Sequence, residues 1–179
     1  AFGTSGIRYC NTTTSSCSSW QQTTASWASN TLDVNTQYTI TIQSRNGDSE
    51  TTTAASGQKY TLADTALAPT VANTALTTSL NISITADTNP AATEYAISCD
   101  NDTDFINFDT KACDDTIIDD AFHWRTRANW GTFEKTGYLA NTNHIFKVVA
   151  RNGDGTATAL SSSNSLYTYI EDPDTNGIT

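Results

Sequence analysis

The chain has 179 residues, a formal net charge of −10 and a sequence pI near 4.3. Nucleic acid calls for a basic surface on its partner, so this charge argues against a nucleic-acid partner. No apolar run is long enough to cross a bilayer, and we expect no membrane span. Charged residues make up only 16% of the chain, and abundant Thr and Ser suit half-solvated strands.

The chain opens with Ile7 and Tyr9 in alternation with polar residues, and a period of two predicts a strand with one buried face. Four cysteines fall as two local pairs, Cys10/Cys17 and Cys99/Cys113. Neither pair has the spacing of a zinc or redox site, so one short-loop disulfide per pair is the simplest interpretation. Each contributes roughly 2–3 kcal/mol and indicates an extracellular compartment. Four buried free thiols are the alternative.

Residues 35–48 and 141–154 repeat one pattern at an offset of 106 residues. Both copies begin with Asn-Thr, end with Arg-Asn-Gly-Asp and alternate apolar with polar residues between. The alternation predicts a long central strand in each copy. Asn-Gly directly after a strand predicts a type I′ turn, with positive φ at Asn46 and Gly47 in the first copy. With no helical spacing elsewhere, the sequence predicts an all-β chain of two units.

The stretch between the two copies predicts further strands. Leu76, Leu80, Ile82 and Ile84 have the spacing of inward-facing positions on two strands. A third strand ends at Cys99, and an acidic stretch follows to residue 120. A pair of tryptophans and a final strand over 164–170 complete the second half.

The pattern Leu-x-x-Asn-Thr-x-Tyr-x-Ile-x-Ile-x-Ser-x-Asn-Gly over 32–47, with a closing Tyr-Thr, resembles the E–F–G region of a fibronectin type III domain. The second half resembles the version found in bacterial surface proteins, through NPAATEYAI, a Trp pair, ARNGDG and YT. The resemblance implies seven-stranded, immunoglobulin-like β-sandwiches. It covers nearly all of 67–170 and part of 1–66. The corner tyrosine of the family corresponds to Tyr38, but to His144 in the second half, where Tyr138 takes the place of Leu32.

The resemblance implies an incomplete unit over 1–66, a complete unit over 67–172, and a tail or linker over 173–179. About 30 residues precede Cys99 in its unit but only nine precede Cys10, so we expect the first unit to lack its first two strands.

Such a sandwich exposes apolar core and an open strand edge. Either the missing strands lie upstream in a longer array, or another molecule supplies them. We therefore favour a structural subunit of an extracellular filament or surface array, a homopolymer joined head to tail by strand complementation or edge pairing. The assembly residues would be Ile7, Tyr9, Asp172, Asp174 and Ile178. The simpler alternative is a two-domain fragment whose first unit is a smaller sandwich.

Two stretches have the oxygen spacing of a calcium loop, and calcium is the only cofactor that the sequence brings into question. Asp172, Asp174 and Asn176 stand at positions 1, 3 and 5 with Gly177 at position 6, although the chain ends before position 12. Asp100, Asp102 and Asp104 have the same spacing but lack the glycine, so a polar loop is the stronger interpretation there.

Asn11 and Asn101 begin N-glycosylation sequences, although chance matches are expected in a chain so rich in Thr and Asn. Trp20, Trp27, Trp124 and Trp130 could form a sugar-stacking platform, but their equivalent placement in both halves favours packing. The alternative function is therefore a carbohydrate- or receptor-binding accessory or adhesion module of a larger secreted protein, with glycans as partners. No catalytic motif is present, and we expect no enzyme activity.

Overall fold

The computed structural model of the protein describes residues 5–23, 26–100, 103–114 and 121–171. The chain divides into two compact units, Ala1–Leu62 (unit 1) and Ala63–Thr179 (unit 2). The sequence-based boundary after residue 66 lies a few residues further along and stays a prediction. In the described residues strands dominate and the only α-helix is one turn long, which confirms the all-β class.

Unit 1 is a single antiparallel sheet in the order β2-β1-β3-β4. Its strands are β1 (Gly6–Asn11), β2 (Ser16–Cys17), β3 (Gln37–Arg45) and β4 (Ala55–Tyr60). The repeat strand β3 is central and pairs with β1 on one side and β4 on the other, as its alternation predicts. No second sheet occurs among the described residues of this unit.

The described residues of unit 2 form two sheets. Its elements are β5 (Thr70–Asn73), β6 (Ser79–Ser83), β7 (Glu94–Ser98), β8 (Phe105–Ile106), β9 (Cys113–Asp114), β10 (Arg125–Thr126), α1 (Arg127–Trp130), β11 (Thr132–Thr136), β12 (Asn143–Arg151) and β13 (Asn164–Tyr167). One sheet has the order β11-β6-β5; the other has the order β13-β12-β7-β8-β9, with β10 also paired to β7. This division of strands is that of a fibronectin type III-like sandwich.

The two sheets of unit 2 enclose its hydrophobic core. Leu80 and Ile82 of β6 meet Ile97 of β7 and Phe146 and Val148 of β12, and all five side chains are fully buried. Strict alternation along these strands sends every second residue inward. Leu76 departs from the predicted pattern: it lies in the turn before β6 and is exposed, because a turn residue has no fixed inward face.

The loops after both repeat strands differ from the predicted type I′ turn. Neither Asn46 nor Gly47 has positive φ; in unit 1 that conformation falls on Ser49, and in unit 2 on Gly155. The Asn46 side-chain oxygen accepts the amides of Asp48 and Glu50. An asparagine side chain that closes its own turn in this way replaces the need for positive φ at the two central positions.

Both predicted disulfides are present, Cys10–Cys17 in unit 1 and Cys99–Cys113 in unit 2. The first closes the β1–β2 hairpin, and the second links the end of β7 to β9. No helix in the described part of the chain has both the length and the apolar character to cross a membrane.

Candidate functional site

One face of the unit 1 sheet is apolar and only partly covered: Asn11 and Tyr38 at one end of it are buried, whereas 43% of Ile42 is exposed. Paired residues of neighbouring strands point to the same side, and the register pairs Tyr9 with Ile42, and Ile42 with Ala55. Ile7 of β1 and Ile40 of β3 lie on the same side by alternation. We use the name apolar face for these five residues, Ile7, Tyr9, Ile40, Ile42 and Ala55.

The internal repeat supplies a direct comparison for this face. At the repeat offset Ile42 corresponds to Val148, and both stand on the inward side of a central strand. Val148 is fully buried, whereas 43% of Ile42 is exposed. In unit 2 the sheet β11-β6-β5 covers the equivalent face, and no sheet of the described residues does so in unit 1. The described residues of unit 1 thus form one sheet where those of unit 2 form two.

The open edge that we expected at Ile7 and Tyr9 does not exist. The Ile7 amide donates to the Gln21 carbonyl at 2.7 Å, and the Gln21 amide donates back at 2.8 Å. The Tyr9 amide donates to the Ser18 hydroxyl, and the Tyr9 carbonyl accepts the Ser18 amide. The return segment after the disulfide loop thus fills this edge, and only the side chains of these two residues remain available for contact.

The outer edge of unit 1 on the other side is β4. This strand pairs with β3, and no described strand pairs with its far side. Five of its six residues are exposed. An unpaired edge with exposed backbone groups accepts an added strand, so edge pairing in unit 1 is available at β4 and not at β1.

Of the predicted calcium residues the structure describes Asp100 and Asp104; the Asp104 carboxylate accepts the Thr103 hydroxyl, and the Asp100 carboxylate has two partners. Asp100 accepts the Ile145 amide with one carboxylate oxygen and lies 2.8 Å from Nδ1 of His144 with the other. Among the described residues no cluster of His, Cys, Asp or Glu has the arrangement of a metal site. Asp102, Asp172, Asp174 and Asn176 lie outside the described residues, and calcium binding stays a prediction.

The predicted glycosylation residues have different positions. Asn11 is fully buried; its side-chain nitrogen donates to Ser29, and its oxygen accepts two amides of the β1–β2 loop. A glycan on the Asn11 side-chain nitrogen would replace its hydrogen bond to Ser29, and glycosylation here stays a prediction. Asn101 lies outside the described residues, as does Ile178 of the predicted assembly set.

The corner tyrosine is retained in unit 1 and replaced in unit 2. The Tyr38 hydroxyl accepts the Asp33 amide at 2.8 Å. In unit 2 the corresponding His144 is buried, stacks on Tyr138 at 3.6 Å between ring centroids, and pairs with Asp100. A carboxylate from the end of β7 thus anchors this corner instead of a backbone amide, which the sequence pattern alone did not indicate.

The tryptophans of unit 2 serve packing. Trp130 is 2% exposed, donates from Nε1 to the Tyr95 carbonyl and packs edge-on against Phe108 and Phe133. Trp124 is also buried; it packs against Ala96 of β7 and Val149 of β12, on the side of their sheet away from the main core. Trp20 and Trp27 of unit 1 are half-buried. An exposed platform of four indoles is absent, which weakens the sugar-stacking interpretation.

Two buried tyrosines of unit 2 have raised pKa values. Burial, and then the hydrogen bond to Asp87 at 2.8 Å, raise the pKa of Tyr95; burial, and then the nearby Asp100 carboxylate, raise the pKa of Tyr138. Burial lowers the pKa of Lys135. Unfolded tyrosine ionises near pH 10.

We therefore expect unit 2 to lose stability as the pH rises above about 10, because the folded state keeps tyrosine protons that the unfolded state releases. Lys135 makes the free energy of unfolding rise with pH, because the folded state loses this proton before the unfolded state does. That rise ends near about pH 10.5, where the unfolded lysine also loses its proton. Urea midpoints at several pH values between about 9 and 11 measure the slope. Tyr95→Phe should flatten it, whereas the exposed control Tyr169→Phe should not. Equal slopes in both variants would contradict this assignment.

No protein-family model and no curated protein matches this chain. Among solved structures, domains d3–d4 of the rat CD45 extracellular region are 15% identical, with a TM-score of 0.43 and coverage of 86% of this chain and 75% of that one. The FN1–FN3 domains of chicken CNTN1 are 9% identical, with a TM-score of 0.38 and coverage of 93% of this chain and 55% of that one. This chain thus spans about half of the chicken structure. The fibronectin type III-like assignment rests on the strand order of unit 2.

Proposed function

We propose that this chain is a structural subunit of a bacterial-type extracellular filament or surface array, in which identical copies join head to tail. The observation that carries the proposal is the difference between Ile42 and Val148, which are equivalent in the repeat. Ile42 is 43% exposed, whereas Val148 is fully buried. An apolar sheet face gains stability when something covers it, since burial contributes about 25 cal/mol per Å².

The partner that we propose for the apolar face is the C-terminal stretch of a second copy. Tyr167, Tyr169 and Ile170 follow one another closely at the end of the described chain, and each is at least half exposed. These side chains have the apolar character that the uncovered face needs. The predicted assembly residues Asp172, Asp174 and Ile178 continue the same stretch, outside the described residues.

A contact of this kind joins two different surfaces of the same molecule. The apolar face of unit 1 in one copy is covered by the C-terminal stretch of the next copy. Such a heterologous contact repeats without limit when its rotation does not close a ring, and the product is then a filament. The free edge of β4 offers backbone pairing to the same donor.

The two disulfides support an extracellular location, since such bonds persist in oxidising compartments. The buried positions of Trp124 and Trp130 favour the structural role over the glycan-binding alternative.

Sedimentation velocity over a hundredfold range of chain concentration tests the proposal. We expect the average mass to rise with concentration from the 19.2 kDa monomer towards larger species. A single monomeric species at every concentration would overturn the homopolymer. Binding of the monomer to immobilised glycans, with no self-association, would support the adhesion-module alternative instead.

A further inference from the structure

On the side of the unit 1 sheet opposite the apolar face, two arginines stack on one tryptophan. Arg8 pairs with Gln43, and Arg45 pairs with Gly6. All four residues alternate with the residues of the apolar face along their strands, so Arg8 and Arg45 both lie on the opposite side of the sheet. Both guanidinium groups stack on Trp20, with carbon-to-centroid distances of 4.8 and 4.5 Å. Stacking of this kind holds a flexible arginine in one orientation. We call these three residues the Arg–Trp stack.

Unit 2 shows what the same arginine binds when a carboxylate is present. Arg151 is the repeat equivalent of Arg45 and likewise stacks on a tryptophan, Trp124, at 4.5 Å. Its guanidinium pairs with Glu94, with Nε at 2.7 Å from Oε2. Glu94 lies directly opposite Arg151 in the register. The unit 2 stack is therefore neutralised within the chain.

The equivalent carboxylate is missing in unit 1 for a steric reason. The residue opposite Arg45 is Gly6, whose φ is 154°. A Cβ at this position would lie 2.6 Å from the Gln21 carbonyl oxygen, which belongs to the segment that fills the β1 edge. A glutamate cannot stand here without displacing that segment, so unit 1 cannot supply the ligand that Glu94 supplies in unit 2.

The two arginines have no carboxylate partner among the described residues. Arg8 donates to the Gln43 side chain at 3.0 Å, and Nε of both arginines is buried without an acceptor, which leaves the terminal guanidinium nitrogens as the groups that an external anion can contact. Glu50 lines the same cleft as Arg45, yet no ion pair joins them. Two fixed cations in a half-buried position, without a counter-charge, attract an anion from outside.

We propose that the Arg–Trp stack is a carboxylate-binding site that takes an Asp- or Glu-rich polypeptide segment. Glu94 defines the chemistry, since a carboxylate satisfies the same guanidinium in the same position of unit 2. The charge distribution fits this assignment: residues 1–62 contain three basic and three acidic residues, whereas residues 63–179 contain six and sixteen. The receiving unit is thus neutral within a chain of net charge −10.

Titration of fluorescently labelled poly-L-glutamate with the full chain at low salt tests the site. The overall charge of the chain opposes this binding, so a signal requires a local cationic site. We expect binding that weakens with salt and falls about tenfold in the double variant Arg8→Gln/Arg45→Gln. Arg45→Lys, which keeps the charge and loses the planar fork, should retain part of the affinity. Circular dichroism verifies that each variant is folded.

Lys59→Gln is the matched control, because it removes an exposed cation of unit 1 that lies on the other side of the sheet. Its affinity should stay within about twofold of the parent, as for a surface charge away from the site. Absence of poly-L-glutamate binding, equal binding by the double variant Arg8→Gln/Arg45→Gln and the parent, or binding of heparin alone would each overturn the carboxylate assignment. None of these outcomes depends on self-association, so this test and that of the homopolymer fail separately.

Discussion

Replacement of Ile42 by glutamate is expected to weaken self-association of the chain by at least about a hundredfold. The reason is that an unpaired charge in a buried contact costs about 3–5 kcal/mol. Ile42 is 43% exposed in the single chain, so the same substitution should leave the fold of unit 1 intact. Sedimentation velocity gives the association constant, and circular dichroism checks the fold.

Gln58→Glu is the matched control for this substitution. Gln58 is exposed on β4, pairs with Thr39 and therefore faces away from Ile42, and its replacement by glutamate adds the same charge. Self-association of this control should change by less than about threefold, as expected for an exposed charge. An equal loss in both variants would show that net charge, and not the apolar face, governs association.

Trp130→Ala is expected to destabilise unit 2 by about 3–5 kcal/mol, which makes it the largest stability effect that we predict. The indole fills the centre of an aromatic cluster with Phe108 and Phe133, and its Nε1 is the hydrogen-bond partner of the Tyr95 carbonyl. Truncation leaves a cavity and an unpaired carbonyl. Scanning calorimetry should show the unit 2 transition lower by on the order of 10–20 °C.

Leu139→Ala provides the comparison, since 76% of Leu139 is exposed. Its effect should stay within about 0.5 kcal/mol, as for surface positions in general. If Trp130→Ala lowered the transition temperature no more than Leu139→Ala does, then the indole would not be a core residue in solution.

Much of the fold could be predicted because local rules and tertiary structure agree in the repeat strands. The alternation in 35–48 and 141–154 correctly indicated β3 and β12, since each has one inward face. Among the described residues, unit 1 has four strands and unit 2 has nine.

The β1 edge could not be predicted from the same patterns. Gln21 and Ser18 fill that edge through backbone groups and a hydroxyl, which leave no apolar periodicity in the sequence. The hairpin loops were predicted incorrectly for a related reason. Asn-Gly is compatible with several turns, and the side-chain bonds of Asn46 decide between them.

The Arg–Trp stack also depends on contacts that sequence spacing does not reveal. Arg45 and Arg151 are identical in the repeat, but the identity alone does not show that each stacks on a tryptophan. The missing counter-charge becomes visible only once the register places Gly6 where unit 2 has Glu94. A register-based alignment of the two units would have provided that signal.

The rate at which a thiol at position 42 reacts with a soluble reagent tests most directly whether unit 1 receives its missing layer from another copy. In Ile42→Cys we expect fast labelling in dilute solution and labelling that slows as chain concentration rises, in step with association. In Gln58→Cys, on the other side of the sheet, the rate should stay constant. Equally fast labelling of Ile42→Cys at every concentration would contradict the account.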